Sequence, residues 1–167
     1  MTTIGACEAK RTWRRRDRSG PASPFKVTLS DMIADRLEAF FRDAAPAGVV
    51  AAYLYGSHAA GRAHRDSDVD VGVLLDRVRY PQKAQRGELR VTIGSALISA
   101  LGCNRVDVVV LNDVSPLLAR EVVRGQRVFC ADGLAERTFI RDVQLRAADL
   151  APFIEKHRQR LLEWVKR

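Results

Sequence analysis

Two aspartates, Asp68 and Asp70, interrupt an otherwise apolar run that reads SDVDVGVLL. If this run is a β-strand, its side chains alternate between two faces, so the aspartates share one face and Val69 and Val71 share the other. Two ionised carboxylates this close repel each other unless a cation or several hydrogen-bond donors lie beside them. Because Mg²⁺ binds carboxylate oxygens together with substrate phosphates, the pair predicts a divalent metal site.

A glycine-serine pair precedes these aspartates, with ten residues between Ser57 and Asp68. The pair follows the apolar run VVAAYLY, so Gly56 is expected to end a strand at a sharp turn. Free N–H groups at the start of a short helix, together with the Ser57 hydroxyl, can hold a phosphate. Arg62 and Arg65 follow in the loop, and their guanidinium groups match phosphate geometry, although a solvated loop explains them equally well.

A third carboxylate, Asp107, lies within the run RVDVVVLN. An ionised side chain surrounded by valines is costly to desolvate, so Asp107 is expected to have a partner. If its strand lies beside the Asp68 and Asp70 strand, the three carboxylates form one site that can bind metal and accept the proton of an incoming hydroxyl. Taken singly, each motif is weak, since a Gly-Ser pair is also a common turn and an Asp-x-Asp segment is often a solvated strand face.

Strand patterns and helix patterns alternate along the chain. The runs VVAAYLY, SDVDVGVLL, RVDVVVLN and QRVFCA predict four strands. Helical spacing of apolar residues predicts a helix before the first strand, a second over 82–101, and a last one from Leu134 onward that Pro152 bends. The fold class is therefore α/β (α+β), with a small mixed β-sheet flanked by helices and a C-terminal helix.

Two of these helices carry start signals. Ser30 is the predicted N-cap of the first helix, with Asp31 in its electropositive first turn. Ser115 is the predicted N-cap of a helix over 116–124, because Pro116 suits the first helical position and Gly125 suits the end. The apolar stripe of the last helix comprises Phe139, Val143, Ala147, Leu150, Ile154 and Leu161.

Length and composition favour one globular domain with spare residues. The chain has 167 residues, of which 47% are hydrophobic. It has no run of about 18 apolar residues that would span a membrane, and its basic start lacks the apolar centre of a secretory signal. Cys7, Cys103 and Cys130 have neither metal-ligand nor redox spacing, so free thiols in the cytoplasm are expected.

Positive charge is concentrated at the N-terminus. The net charge is +8, of which residues 1–27 contribute +5. This segment, which contains KRTWRRRDR, is expected to be a flexible arm; docking on RNA or on an acidic partner is a less favoured alternative. We therefore expect an arm over 1–27, a catalytic domain over 28–132 and a C-terminal helical extension over 133–167.

The combination of GSHAAGRAHRDSDVDVGV with VDVVVLN resembles the signature of the nucleotidyltransferase superfamily typified by DNA polymerase beta. The small size and the run VDVVVLNDVSPLLAREVVRGQRVF resemble, within it, the minimal nucleotidyltransferase (MNT) antitoxins, which are partners of HEPN-domain RNase toxins. Many relatives have an arginine directly before the second glycine of the turn, where this chain has Ala60. The resemblance covers residues 30–132 and implies a polymerase beta palm-like fold.

The resemblance also implies roles for the predicted site. Gly56 and Ser57 would hold the triphosphate of ATP, and Asp68, Asp70 and Asp107 would be catalytic and bind two Mg²⁺ ions. In MNT antitoxins, AMP is transferred to a tyrosine of the HEPN toxin. Three alternatives remain open: transfer to a small molecule, as in aminoglycoside nucleotidyltransferases; transfer to an RNA end; and a steric antitoxin without catalysis.

Overall fold

The computed structural model of the protein describes residues 28–165, except for the side chains of residues 161 and 165. The predicted N-terminal arm and the Leu161 part of the apolar stripe lie outside the described residues. In chain order the elements are α1 (Leu29–Ala44), β1 (Val49–Tyr55), α2 (Gly56–Ala59), β2 (Val69–Leu75), α3 (Lys83–Leu101), β3 (Val106–Val110), α4 (Pro116–Val123), β4 (Gln126–Cys130) and α5 (Gly133–Val165). The predicted alternation of strands and helices is confirmed.

The four strands form one mixed sheet in the order β3-β2-β1-β4. β1 is antiparallel to both of its neighbours, whereas β2 and β3 are parallel. A parallel pair needs a long crossover, and α3 supplies it. The predicted small mixed sheet flanked by helices is therefore confirmed, and β3 is left as an edge strand.

The two faces of the sheet bury different helices. On one face, Val69 and Val71 of β2 pack in a core with residues of α1 and α3, among them Leu37 and Ile93. On the other face, Tyr53 and Leu74 share a core with Val122 of α4. A Cβ atom on Gly72 would lie 2.3 Å from Cγ1 of Val122, so this glycine allows α4 to approach β2 closely.

The start of α1 differs from the prediction. Thr28, not Ser30, is the N-cap, and it forms a capping box with Asp31. Asp31 N–H donates to Thr28 Oγ1 over 3.2 Å, and Thr28 N–H donates to Asp31 Oδ2 over 3.0 Å. Because the carboxyl group that closes the box must lie three residues after the cap, Asp31 selects Thr28. The prediction for Ser115 is confirmed, since its Oγ accepts the Leu118 N–H over 3.3 Å.

The beginning of α5 is fixed to the sheet by Glu136, whose residue surface is only 3% exposed. Its carboxylate accepts hydrogen bonds from Tyr53 Oη (2.5 Å) and Arg127 Nη1 (2.9 Å), and from Cys130 Sγ (3.4 Å). Burial and then the Glu136 carboxylate raise the pKa of both Tyr53 and Cys130. No helix within the described residues is long and apolar enough to cross a bilayer.

Candidate active site

Three side chains form a row across one end of the sheet. Tyr55 at the end of β1 pairs with Asp70 of β2, and Asp70 pairs with Asp107 of β3. Residues that face each other in a sheet project from the same face, so the tyrosine and the two aspartates lie side by side. The alternative face of β2 is apolar, because Val69 and Val71 are buried in the core. The predicted proximity of Asp70 and Asp107 is therefore confirmed by the strand register.

Asp107 lies beside Asp70 as predicted, but the predicted burial of Asp107 was wrong. Asp107 was expected to be surrounded by valines, but it is exposed. It lies near the start of β3, an edge strand, on the opposite face from the buried Val108. Water therefore solvates its carboxylate, and strand pairing rather than desolvation brings it to Asp70.

Asp68 lies just before β2 rather than within it, and it is exposed. The Asp68 charge nevertheless affects the pKa of Asp70. Burial, then the Asp107 charge and then the Asp68 charge raise the pKa of Asp70, and His58 lowers it. The carboxylates thus form a concentration of negative charge around Asp70.

The turn that follows β1 requires glycine for two reasons. Gly56 has a φ of 68°, in the left-handed region that other residues rarely adopt. A Cβ atom at this position would also lie 2.0 Å from Oδ2 of Asp70. Gly56 therefore allows the carboxylate to rest against the backbone at the start of α2. Ser57 follows in the first turn of α2, where N–H groups have no acceptor within the helix.

Arg62 and Arg65 lie in the exposed loop between α2 and β2. The Arg62 backbone N–H donates to the Ser57 carbonyl over 3.0 Å, which ties the loop to α2. Neither guanidinium group is among the charges that shift the pKa of Asp70. The structure thus places both arginines on the loop next to the turn without pairing them with Asp70.

The end of this loop is held beside the start of β3 by Arg105. Its guanidinium Nη1 lies 3.4 Å from Oδ1 of Asp66, and its carbonyl accepts the Val69 N–H over 2.8 Å. The loop itself is closed by His64, whose backbone N–H donates to Ser67 Oγ over 2.8 Å. These contacts fix Asp68 relative to Asp107.

Tyr55 and His58 also lie at the site, although the sequence did not single them out as site residues. Burial, followed by the charges of Asp70 and Asp107, raises the pKa of Tyr55 to about 12. His58 is 4% exposed, and neither of its ring nitrogens has a hydrogen-bond partner among the described residues. In the sequence, Tyr55 ends an apolar run, and only the strand register places it beside the aspartates.

The charge of the site suits a divalent cation, although the side chains do not form a finished site. Within residues 28–165, no three His, Cys, Asp or Glu side chains converge as a metal-binding group. The donors at Asp68, Asp70 and Asp107 are carboxylates, the type that Mg²⁺ prefers. No Lys or Arg is among the charges acting on Asp70, so a cation would supply the missing compensation. The residues fit Mg²⁺ by chemistry, and binding would draw the side chains together.

A separate cavity of about 900 Å³ lies at the opposite end of the strands. It is bounded by the sheet, α4 and α5, and its lining includes Val50, Leu74 and Phe139. The aspartates of the site do not line it. The carboxylate row is therefore an open surface at one end of the sheet, not part of this cavity.

Sequence comparison supports the assignment that the fold and the carboxylate row indicate. Residues 37–133 match the family described as "Polymerase beta, Nucleotidyltransferase". The match spans more than half of the chain and includes all of the predicted site residues. The protein belongs to the polymerase beta nucleotidyltransferase family. No curated protein is a significant match.

Solved structures of toxin–antitoxin complexes contain chains with a similar fold. One is a toxin-antitoxin with AMP-PNP, 24% identical, with 80% of this chain and 98% of that chain covered and a TM-score of 0.54. A second is an MntA–HpeT complex with two aspartate-to-glutamate substitutions, 25% identical, with the same coverage and TM-score. A third is a tri-AMPylated Shewanella oneidensis HEPN toxin in complex with an MNT antitoxin, 21% identical, with 83% and 100% covered and a TM-score of 0.50.

Proposed function

We propose that this protein is an MNT antitoxin that transfers AMP from ATP to a hydroxyl group, that of a tyrosine, on a HEPN-domain toxin. The observation that carries the proposal is the pairing of Asp70 with Asp107 beside the Gly56 turn. The similar structures support the partner and the nucleotide, since one contains AMP-PNP and another an AMPylated HEPN toxin. In the MntA–HpeT variant, the two replaced aspartates are two positions apart, as Asp68 and Asp70 are.

In this proposal the turn and its loop bind the triphosphate. The first-turn N–H groups of α2 and the Ser57 hydroxyl donate to phosphate oxygens, and Gly56 keeps the backbone open to them. Arg62 and Arg65 are exposed on the adjoining loop, so their side chains can turn toward the same phosphates. These contacts hold ATP with its α-phosphate beside the carboxylate row.

Asp68, Asp70 and Asp107 would hold two Mg²⁺ ions. When bound, these ions neutralise the phosphate charge and stabilise the attacking and leaving oxygens. The chain's own carboxylates fix where this happens, because Asp70 rests against Gly56 and faces Asp107. Replacing Asp70 by asparagine therefore removes the central negative charge of the site while preserving the shape of the side chain.

The transfer balances without a further reactant. The tyrosine oxygen attacks the α-phosphorus and forms a new oxygen–phosphorus bond, while the bond from the α-phosphorus to the bridging β-phosphate oxygen breaks and pyrophosphate leaves. The phenolic proton passes to the Asp107 carboxylate, which is exposed at the sheet edge and accessible to an acceptor from solvent. A protein acceptor can reach this position without entering a pocket.

The test is mass spectrometry of a HEPN-domain protein encoded beside this chain, after incubation with ATP and Mg²⁺. The toxin should gain mass in units of AMP with the wild-type chain and lose its RNase activity. Asp70→Asn should abolish the gain, whereas Asp76→Asn, at the far end of β2, should preserve it. If Asp70→Asn neutralises the toxin fully and no AMP is added, a steric antitoxin replaces the proposed enzyme.

A further inference from the structure

The second half of α5 extends away from the packed part of the molecule. Val143 and Ala147 are buried, but every described side chain from 148 to 164 is exposed. At 1.5 Å per residue, this segment is about 25 Å long. We call it the distal segment of α5.

The distal segment continues the apolar stripe of its buried first half. Counting on from Ala147 in alternating steps of three and four residues gives Leu150, Ile154, His157 and, one heptad later, Trp164. This spacing keeps side chains on one face of a helix and is typical of a helix–helix seam. Trp164 is 76% exposed, and Phe153 beside the stripe is 73% exposed. The face that packs on the protein's own domain at Val143 is therefore uncovered beyond Ala147.

Charge distinguishes among the partners that could cover this face. From residue 148 to residue 167 the sequence has three acidic and five basic residues, a net charge of +2, so it favours an acidic partner. At the edges of the stripe in particular, the charged residues are Arg158 and Arg160. Arg160 makes no ion pair within the described part of the chain, and Arg158 makes only an exposed pair with Glu155, 3.7 Å long. Such surface pairs contribute little and exchange readily.

We propose that the distal segment of α5 is a docking surface for an amphipathic helix of another protein that carries Asp or Glu along both edges of its apolar stripe. The apolar seam would be buried, and the acidic edges would pair with Arg158 and Arg160. A second copy of this chain is a poorer occupant, because it would bring two arginine-flanked edges together. The partner that carries this helix is the HEPN-domain toxin, and this identification rests on the proposed function.

Docking can be tested without measuring catalysis. The probe is a synthetic helical peptide of four heptads, free of tryptophan, with leucine at the seam positions and glutamate at both edges. Its matched control has lysine at the edges. In a full-length Trp13→Phe variant, Trp164 is the one remaining tryptophan and reports burial by a blue shift. The glutamate-edged peptide should bind roughly tenfold more tightly than the lysine-edged peptide.

Variants of the distal segment assign the effect to its seam and edges. Arg158→Glu with Arg160→Glu should reverse the peptide preference, whereas Lys156→Glu, away from the stripe, should not. Ile154→Gln should weaken binding, whereas Leu162→Gln, also off the stripe, should leave it unchanged. The proposal is overturned if the two peptides bind alike, if Trp164 is already buried in a dimer of the chain alone, or if it shifts only with anionic vesicles. AMP transfer is read separately through Asp70→Asn, so failure of docking and failure of catalysis are distinct results.

Discussion

Asp70 and Asp107 occupy the same level of the parallel β2–β3 pair, with Asp68 close enough to act on the same carboxylate. Their mutual repulsion adds to the effect of burial, and together these raise the pKa of Asp70. The folded chain thus carries an electrostatic cost at the candidate active site that a bound cation would remove. If Asp70 has the proposed catalytic role, function and stability make opposite demands at this position, and its substitution should affect activity and stability in opposite directions.

Asp70→Asn should abolish nucleotide transfer while stabilising the fold. Because the pKa of Asp70 is raised in the folded state, the folded chain binds this proton more tightly than the unfolded chain does. The free energy of unfolding therefore falls as pH rises from the ordinary carboxyl pKa through the raised value. At pH 7 the variant should be more stable by up to about 1 kcal/mol. Below about pH 3, where Asp70 is protonated in both the folded and the unfolded state, the wild-type and variant denaturation curves should coincide.

Asp113→Asn is a control in which the stability change should have the opposite sign, because the pKa of Asp113 is lowered rather than raised. Hydrogen bonds from Arg86, 2.7 and 2.9 Å long, lower the pKa of Asp113. This stabilisation is present above the ordinary carboxyl pKa and is lost as pH falls through the lowered value. At neutral pH the variant should lose about 2–3 kcal/mol, because the pair is largely buried. Equal shifts for Asp70→Asn and Asp113→Asn would contradict the electrostatic description of both sites.

Mg²⁺ should stabilise the wild-type chain and not the Asp70→Asn variant. At a concentration ten times its Kd, a ligand specific for the folded state adds about 1.4 kcal/mol, or roughly 2–4 °C in Tm for a chain of this size. Thermal denaturation with and without Mg²⁺, at constant ionic strength, measures this difference. The constant ionic strength removes general screening as the cause of a difference between the two proteins. A rise of the same size in both proteins would show that the cation does not bind at Asp70.

Gly56→Ala should disable the site more than Gly61→Ala. Both glycines have φ values near +67°, at 68° and 66°, so alanine meets the same backbone strain at either position. Only at Gly56 would the new Cβ also collide with Asp70, whereas Gly61 has no atom within 4 Å of that position. Both variants should lose about 1 kcal/mol of stability from backbone strain. A transfer assay should show a large loss of activity for Gly56→Ala alone; equal activity would mean that Asp70 can move aside without consequence.

The sequence predicted the strand face of Asp70 and the position of the Gly56 turn because their signals are local. Alternation within β2 places Asp70 on the opposite face from Val69 and Val71, and the glycine turn follows directly from the end of β1. The position of Tyr55 beside Asp70 was missed because it depends on the register between β1 and β2, which no local pattern specifies. The burial of His58 has no signal in the sequence, because a histidine in a turn is usually exposed, whereas the packing of α2 buries this one.

Longer-range relationships were predicted least well. Asp107 was assigned to the site on the assumption of a buried strand, but the position of β3 at the edge of the sheet leaves it exposed. Glu136 was not singled out at all, since its partner Tyr53 is 83 residues away in the chain. At the start of α1, the prediction of Ser30 overlooked the capping box with Asp31, which makes Thr28 the N-cap.

Arg62 and Arg65 should contribute to ATP binding and not to folding. Both are exposed and lie on the loop beside Ser57, so alanine at either position should change the free energy of unfolding by less than about 0.5 kcal/mol. Each lost phosphate contact should raise KM for ATP by roughly tenfold if it contributes about 1.4 kcal/mol. Arg77→Ala, at the opposite end of β2, is the control and should leave KM unchanged. An unaltered KM in both loop variants would assign the arginines to the solvated surface.

Glu136→Gln should loosen the beginning of α5 from the sheet. The carboxylate is buried and accepts from Tyr53 and Arg127, so neutralising it leaves the Arg127 charge without its partner. Removing one member of a buried pair typically costs 3–5 kcal/mol, and the half-exposed Arg127 reduces the expected loss to roughly 2–3 kcal/mol. Asp142→Asn breaks the exposed pair with Arg146 on the same helix and should cost less than about 0.5 kcal/mol. Urea denaturation measures both losses, and hydrogen exchange should show the faster opening of α5 in Glu136→Gln alone. If the two variants are equally stable, the packing of Phe139 and Val143, rather than Glu136, holds α5 on the sheet.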